Sequence, residues 1–381
     1  MATNVMQNQD PAVLSDRLGR LADLAADRGV DATLLTPGAD TRYLLGAGGD
    51  SFERLSCLVV PSDRSAAPTF VVPKLEQPAY EAVPAQAIGL EFLTWVDGQD
   101  PYTMVADLLR RGGRTAQVAV ADTMPMRHAL PLRERHQAPQ VLASTVTREL
   151  RMRKDAAEIQ ALREVGAAID RVHARVPEFL KAGRTEAEVG ADINAAMLEE
   201  GHTEAAFIIV GSGPNGASPH HSVSERVIRD GDVVVIDIGG PSALGYNSDC
   251  TRTYAVGDPG RDVLDTYAWL QAAQNAAVRA VRPGVTAESI DRAARTPLAA
   301  AGLGEFFIHR TGHGIGIDVH EEPWIVEGSD TVLEPGMAFS VEPGIYQTGK
   351  WGARIEDIVV VTDEGVESLN NQPHSLTVLP A

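Results

Sequence analysis

Residues 233–256 read VVVIDIGGPSALGYNSDCTRTYAV. The run Val233 to Ile236 is continuously apolar, as in a strand buried on both faces, yet it leads directly into Asp237. An unpaired carboxylate in that position costs on the order of several kcal/mol, so a cation or a set of donors is expected beside it. Asp249 follows twelve residues later, and a hairpin turning through Gly239, Gly240, Pro241 and Gly245 brings the two acids together. Adjacent carboxylates repel unless they share a cation or a proton. On this hairpin alone a plainer alternative stays open, in which two strand-end aspartates are satisfied by turn amides or by Arg252.

Three further stretches narrow the choice. HRTGHGIGIDVHEEP, residues 309–323, sets His309, His313 and His320 among glycines, where the backbone can approach a ligand closely. No strand followed by GxGxxG and no Walker-type Lys-Ser/Thr is present, so phosphate binding is not indicated, and the zincin pattern HExxH is absent as well. Glu342 interrupts the apolar strand MAFSVEPGIY, residues 337–346, and Glu356 interrupts GARIEDIVVV, residues 352–361. Four buried-looking acids and a histidine cluster are hard to satisfy with protein groups alone. The chain's two cysteines, Cys57 and Cys250, lie far apart, so a metal site must rest on Asp, Glu and His.

With 381 residues the chain is long enough for two domains. Its 22% charged and 44% hydrophobic residues exclude a disordered or fibrous class. No apolar stretch is long enough to cross a bilayer, so no membrane partner is expected. A formal net charge of −19, with no basic run to reverse it locally, argues against nucleic acid as a partner. The N-terminal MATNVMQNQDPAVLSDRL lacks the basic start and apolar run of a secretory signal, which makes the expected location cytoplasmic and residues 1–14 a flexible tail. Residues 15–147 read as an α/β domain, with helical periodicity in SDRLGRLADLAADRGV and strands at DATLLT, LSCLVVP and TFVVP. From residue 148 dense charge introduces a long amphipathic run ending near Lys181. Gly183 then caps it and Thr185 opens a second helix over roughly 186–200. Glycine-rich strands, helices near 263–281 and 287–301, and more strands complete an α+β, antiparallel domain over 148–381. Paired acids on two of its hairpin regions hint at an internal duplication.

In order and surroundings these residues resemble the metallopeptidase family with the pita-bread fold, which contains prolidase, aminopeptidase P and methionine aminopeptidase. IDIGG, SDCTRT, HRTGHGIG, VEPGIY and ARIEDI are that family's words, and its ligand order Asp, Asp, His, Glu, Glu stands intact as Asp237, Asp249, His313, Glu342 and Glu356. The resemblance implies an α+β architecture with a C-terminal pita-bread (creatinase/aminopeptidase-like) catalytic domain. RLADLAADRGVDATLLTPGADTRYLLG resembles, more weakly, the smaller α/β creatinase-like N-terminal domain of prolidase and aminopeptidase P, which methionine aminopeptidases usually lack. Creatinase shares the fold without the metal-binding residues, so a complete set argues for metal. The turn GGPSALGYNS is slightly longer than in some relatives, which bears on substrate choice.

What the resemblance implies for the site is a pair of divalent metal ions. Asp237 holds one, Asp249 and Glu356 bridge both, and His313 and Glu342 complete the other. Mn²⁺ is the first choice for so oxygen-rich a set, and Co²⁺, Zn²⁺ or Fe²⁺ also fit it. By the same resemblance Glu342 moves the proton, and His220 in SGPNGASPHHSV contacts substrate and supports proton transfer, its neighbour His221 having the weaker claim. His320 hydrogen-bonds the substrate carbonyl and His309 lines the substrate pocket. Arg354 shares a strand face with Glu356 and either pairs with Asp237 or binds a substrate carboxylate. Cys250, on the opposite face from Asp249, reads as core packing. The implied substrate is a small peptide with proline after the scissile bond, and the two-domain plan is that of an Xaa-Pro dipeptidase. Aminopeptidase P action on longer peptides, or a metal-dependent lyase or amidohydrolase on the same scaffold, are the alternatives. A homodimer is expected by resemblance.

Overall fold

Asp10 and Pro11 start the first helix, Pro11–Asp27. The Asp10 carboxylate accepts from the Ala12 amide at 2.8 Å, and the N–H that Pro11 lacks would have had no partner within the helix. Residues 11–14, assigned by the sequence reading to a flexible tail, are therefore helical, and Leu14 is buried. Most of that expected tail lies outside the described residues, which in this computed structural model are 4–5, 10–48, 53–111 and 116–381.

The chain divides into two compact units, Met1–Arg151 and Met152–Ala381. The division falls within the helix Ser144–Met152, the helix in which the sequence reading placed its boundary at 147. In the first unit the expected strands are Ala32–Leu35, Cys57–Pro61 and Thr69–Pro73. They join Glu91–Trp95, Val118–Val120 and Gln140–Leu142 in a six-stranded mixed sheet. Among the described residues no helix is long and apolar enough to cross a membrane.

The second unit repeats one plan, two helices followed by strands. Helix Ala156–Phe179 is opened by Asp155, whose carboxylate accepts from two backbone amides while Glu158 reaches back to the Asp155 amide. Helix Glu186–Glu199 opens in the same way on Thr185 and Glu188. These helices pack on a four-stranded sheet in the order Thr377–Leu379, Asn247–Val256, Val233–Pro241, Phe207–Ser212. Its pairings are antiparallel except for the parallel strand at Thr377. Helices Arg261–Ala280 and Ala287–Ala300 pack on a five-stranded antiparallel sheet. Its order is Glu321–Ile325, Gly312–Gly314, Ala338–Val341, Asp357–Val361, Val366–Ser368. A short hairpin of Gly344–Gln347 and Trp351–Arg354 accompanies them.

Two glycines show why the histidine-bearing segment is glycine-rich. A Cβ at Gly312 would lie 1.8 Å from the Ser340 carbonyl oxygen, and one at Gly314 would lie 2.2 Å from that of Glu322. Close strand approach around His313, not a phosphate cradle, is what these glycines serve.

His173 marks the core between the first helix pair and its sheet. Its Nε2 donates to the Cys250 carbonyl at 3.0 Å, and Nδ1 accepts from the Tyr254 hydroxyl at 3.1 Å, so the neutral ring is satisfied. Burial first, and then the charge of Arg252, push its imidazole down to about 3, against about 6.5 in an unfolded chain. The unfolded state therefore takes the proton first. Stability through this group is complete above the unfolded value and declines as pH falls from there toward the folded one. Lowering the pH from about 7.5 to about 5 should remove about 2 kcal/mol through His173. In denaturant titrations His173→Asn should lose that part of the pH dependence whatever its absolute stability; an unchanged slope would contradict the assignment.

Candidate metal centre

In the central hairpin Asp237 pairs with Thr251 and Gly239 with Asp249, so Asp237, Asp249 and Thr251 point to one face. Cys250 and Ile238 point to the other and lie in the core. His313 comes from the strand Gly312–Gly314, where its backbone amide donates to Ser340 Oγ at 3.0 Å and its Nδ1 donates to the Gly314 carbonyl at 3.1 Å. That leaves Nε2 facing inward, 3.2 Å from Glu342 Oε1 and 3.6 Å from Asp249 Oδ2. Glu342 follows the strand Ala338–Val341, and Glu356 sits between Trp351–Arg354 and Asp357–Val361. Carboxylate oxygens of Asp237, Asp249 and Glu356 form one group lying mutually within 4.8 Å. His313, Glu342 and Glu356 form a second, and Asp249, His313 and His320 a third. The five expected ligands are thus brought together, with Asp249, His313 and Glu356 each belonging to two groups.

The electrostatics test whether cations fit. Burial and the repulsion of Glu356, Asp237 and Glu342 hold the Asp249 carboxyl well above the usual carboxylate range. Burial and the charges of Glu342 and Asp237 do the same to Glu356. Glu342 is pulled the other way: burial opposes its charge, but the His313 hydrogen bond and the positive charges of His313, His309 and Arg354 lower it to about 2. Arg354 Nη2 binds Asp237 Oδ2, yet Asp237 Oδ1 and Glu356 Oε1 are buried without a hydrogen-bond partner among the described residues. Buried carboxylate oxygens without donors are a large cost that divalent cations would remove, displacing the protons the raised carboxyls otherwise keep. The donor set of four carboxylates and one imidazole fits such ions.

Around this centre the other expected residues take varied positions. The His320 ring lies 3.9 Å from that of His313 at the exposed rim. His220 is also exposed. Partial loss of water around its ring first, then the charges of His313, Arg310 and, least, His220, push His320 down to about 4. His309 has both ring nitrogens engaged, Nδ1 with the Arg310 carbonyl at 2.7 Å and Nε2 with the Tyr346 hydroxyl at 2.9 Å. The geometry therefore gives it a grip on Tyr346. Arg354 donates to Asp237, to Thr251 Oγ1 at 3.0 Å and to the Tyr346 hydroxyl at 2.6 Å. Of its two expected roles this occupancy favours the ion pair. Arg252 binds Asp357 at 2.8 Å instead of either aspartate.

Several supporting residues escaped the sequence reading. Thr251 Oγ1 donates to Glu356 Oε2 at 2.7 Å while accepting from Arg354. Ser340 Oγ donates to Glu342 Oε1 at 3.1 Å while accepting from His313. Lys154 and Glu321 form a buried ion pair at 2.6 Å beside His320 in sequence. Strand alternation was the signal available for Thr251 and Ser340, each two residues from a candidate ligand. Nothing in sequence pointed to Lys154.

Comparison with known proteins agrees with this site. Residues 160–363 match metallopeptidase family M24, and residues 17–153 match the creatinase/prolidase N-terminal domain. The chain is 56% identical over 371 residues to a probable dipeptidase PepE of Mycobacterium tuberculosis (strain ATCC 25618 / H37Rv), spanning 97% of this chain and 98% of that protein. An Xaa-Pro dipeptidase of Lactobacillus helveticus is 34% identical over 95% of this chain and 99% of its own. The crystal structure of dipeptidase PepE from Mycobacterium ulcerans superposes with a TM-score of 0.94 at 55% identity, covering 98% of this chain and 100% of that one. The resemblance read from the motifs and the expected pita-bread architecture are both borne out.

Thr251→Val keeps the shape of a side chain that orients Glu356 and removes both hydrogen bonds. Metal affinity, read by competition with a fluorescent chelator, should fall about ten- to hundredfold, as for other partners of metal ligands. Wild-type affinity in this variant would contradict the supporting role of Thr251.

Proposed function

We propose that this chain, which belongs to metallopeptidase family M24, is a metal-dependent Xaa-Pro dipeptidase. The observation that carries the reading is the pair of ligand groups joined through Glu356, in a chain whose near-full-length relatives are described as dipeptidases. Asp237, Asp249 and Glu356 would hold one divalent ion, and His313 and Glu342, with Asp249 and Glu356, a second. Bound there, the ions would polarise an amide carbonyl and make a water acidic enough to attack it near neutral pH. Mn²⁺ is our first assignment, with Co²⁺, Zn²⁺ and Fe²⁺ as competitors for the same donors.

The remaining steps belong to the protein's own groups. Glu342 Oε1 is engaged by His313 and Ser340, and Oε2, 4.0 Å from Arg354 Nε, is the oxygen that takes a proton and passes it to the leaving nitrogen. His320 at the rim donates to the substrate carbonyl oxygen and stabilises the charge that grows on it. His220 contacts the substrate from within electrostatic reach of His320. An Xaa-Pro amide offers no N–H, so a site that grips only the carbonyl oxygen and the leaving nitrogen suits it. The proposal extends to a homodimer in the cytoplasm, and two buried cysteines with free thiols suit a reducing compartment.

Removing metal with a chelator should abolish hydrolysis, and Mn²⁺ or Co²⁺ should restore it. The restored enzyme should cleave Xaa-Pro dipeptides faster than longer Xaa-Pro peptides and leave peptides without proline intact. Full activity in protein shown metal-free by elemental analysis would overturn the metal assignment. Preference for longer peptides would make it an aminopeptidase P, and no Xaa-Pro cleavage with metals bound would favour a lyase or amidohydrolase.

A further inference from the structure

Glu186 is completely buried at the first position of helix Glu186–Glu199, far in sequence from the metal centre's expected ligands. Its Oε1 accepts from the Ser212 amide at 2.8 Å, Ser212 Oγ at 2.6 Å and Asn215 Nδ2 at 3.1 Å. Its Oε2 accepts from Asn215 Nδ2 at 3.1 Å, His221 Nε2 at 2.8 Å and Ser224 Oγ at 2.6 Å. Burial works against the charged form, but the hydrogen bonds from Ser212, Ser224 and His221 outweigh it and hold the carboxyl below its ordinary value. The helix N-terminus favours the same negative charge.

Every one of those donors lies in residues 212–224, the segment that carries His220. Backbone bonds reinforce the tether, from Glu186 N to the Arg226 carbonyl at 3.1 Å and from Ala187 N to that of Ser224 at 3.0 Å. Arg226 closes the far side, binding Ser212 Oγ at 2.5 Å and Asp232 at 2.6 Å. The other face of the segment is held by backbone, since a Cβ on Gly352 would lie 1.9 Å from the Gly216 carbonyl oxygen. Of the two adjacent histidines, His221 turns into Glu186 while His220 stays exposed, near His320.

We infer that Glu186 is the positioning residue for His220, a buried anion that fixes the 212–224 segment through Ser212, Asn215, His221 and Ser224 and so presents the neighbouring imidazole to the substrate. The inference rests on the substrate-contact role proposed for His220. A carboxylate serves better than an amide here because every partner is a donor. Glu186→Gln would turn an NH₂ group toward some of them and leave donors unpaired in a buried site.

A double-mutant cycle on metal-loaded enzyme with an Xaa-Pro dipeptide tests this, with hydrogen–deuterium exchange on metal-free protein as the second readout. Glu186→Gln should lower kcat by about tenfold or more, the scale on which misplacing a reacting group acts. The same change should have no further effect in a His220→Ala background. Exchange should quicken across 212–224 and stay unchanged in Arg261–Ala280. If Glu186→Gln does not fold, His221→Gln and Ser224→Ala take its place in the cycle. An equal loss in both backgrounds would reduce Glu186 to a general stabiliser and overturn the inference, as would unchanged kcat or unchanged exchange. Absence of Xaa-Pro cleavage by the wild type overturns the dipeptidase reading instead, and the exchange difference still decides the tether.

Discussion

Crowding of buried carboxylates is the constraint on which the rest of this fold turns. Asp237, Asp249, Glu342 and Glu356 converge where, among the described residues, Arg354 and His313 are the basic side chains that reach them. One guanidinium and one imidazole leave two carboxylate oxygens buried without donors. A protein pays for that arrangement only where something else neutralises the charge. The strands, the glycines and the short hydroxyl side chains around the centre all serve to keep the acids in place. Thr251 donates to Glu356 and Ser340 to Glu342 while each accepts from a neighbouring group, so each carboxylate is held by a hydroxyl that is itself anchored.

Stiffness comes from outside the centre. Each half of the second unit packs two helices on a sheet, and each sheet delivers acids to the seam. Cys250, Ile238 and Val210 anchor one side, and Phe339, Val341 and Val359 anchor the other. Ligands borne on strands with alternate residues locked in two cores are held far more firmly than ligands on loops. The two histidines proposed to meet the substrate are placed differently, His320 and His220 standing exposed at the rim. Exposed groups need anchors beside them, and the Glu186 network, which binds His221 next to His220, and the Lys154–Glu321 pair next to His320 are buried bonds.

Much of this was legible in the sequence because it followed from local pattern. Asp237 ending an apolar strand, the Asp249 hairpin and the capping residue Thr185 are short-range signals, and the ladder and the cap match them. What escaped involved partners far apart in the chain. The Thr251 bond to Glu356 spans 105 residues, and the Tyr346 contact of His309 depends on a second hairpin. No periodicity announces such pairings. Residues 11–14 were misjudged for the opposite reason: a polar leading stretch suggested a tail, while Asp10 and Pro11 were already a helix start.

At the centre of the account are two ion positions that share Asp249 and Glu356. Anomalous-difference maps from crystals of Mn²⁺-loaded protein, recorded on both sides of the manganese absorption edge, test it most directly. Two peaks are expected, both touching Asp249 and Glu356, with Asp237 on one and His313 and Glu342 on the other. A single peak, or two peaks of which one lacks Glu356 as a ligand, would contradict it.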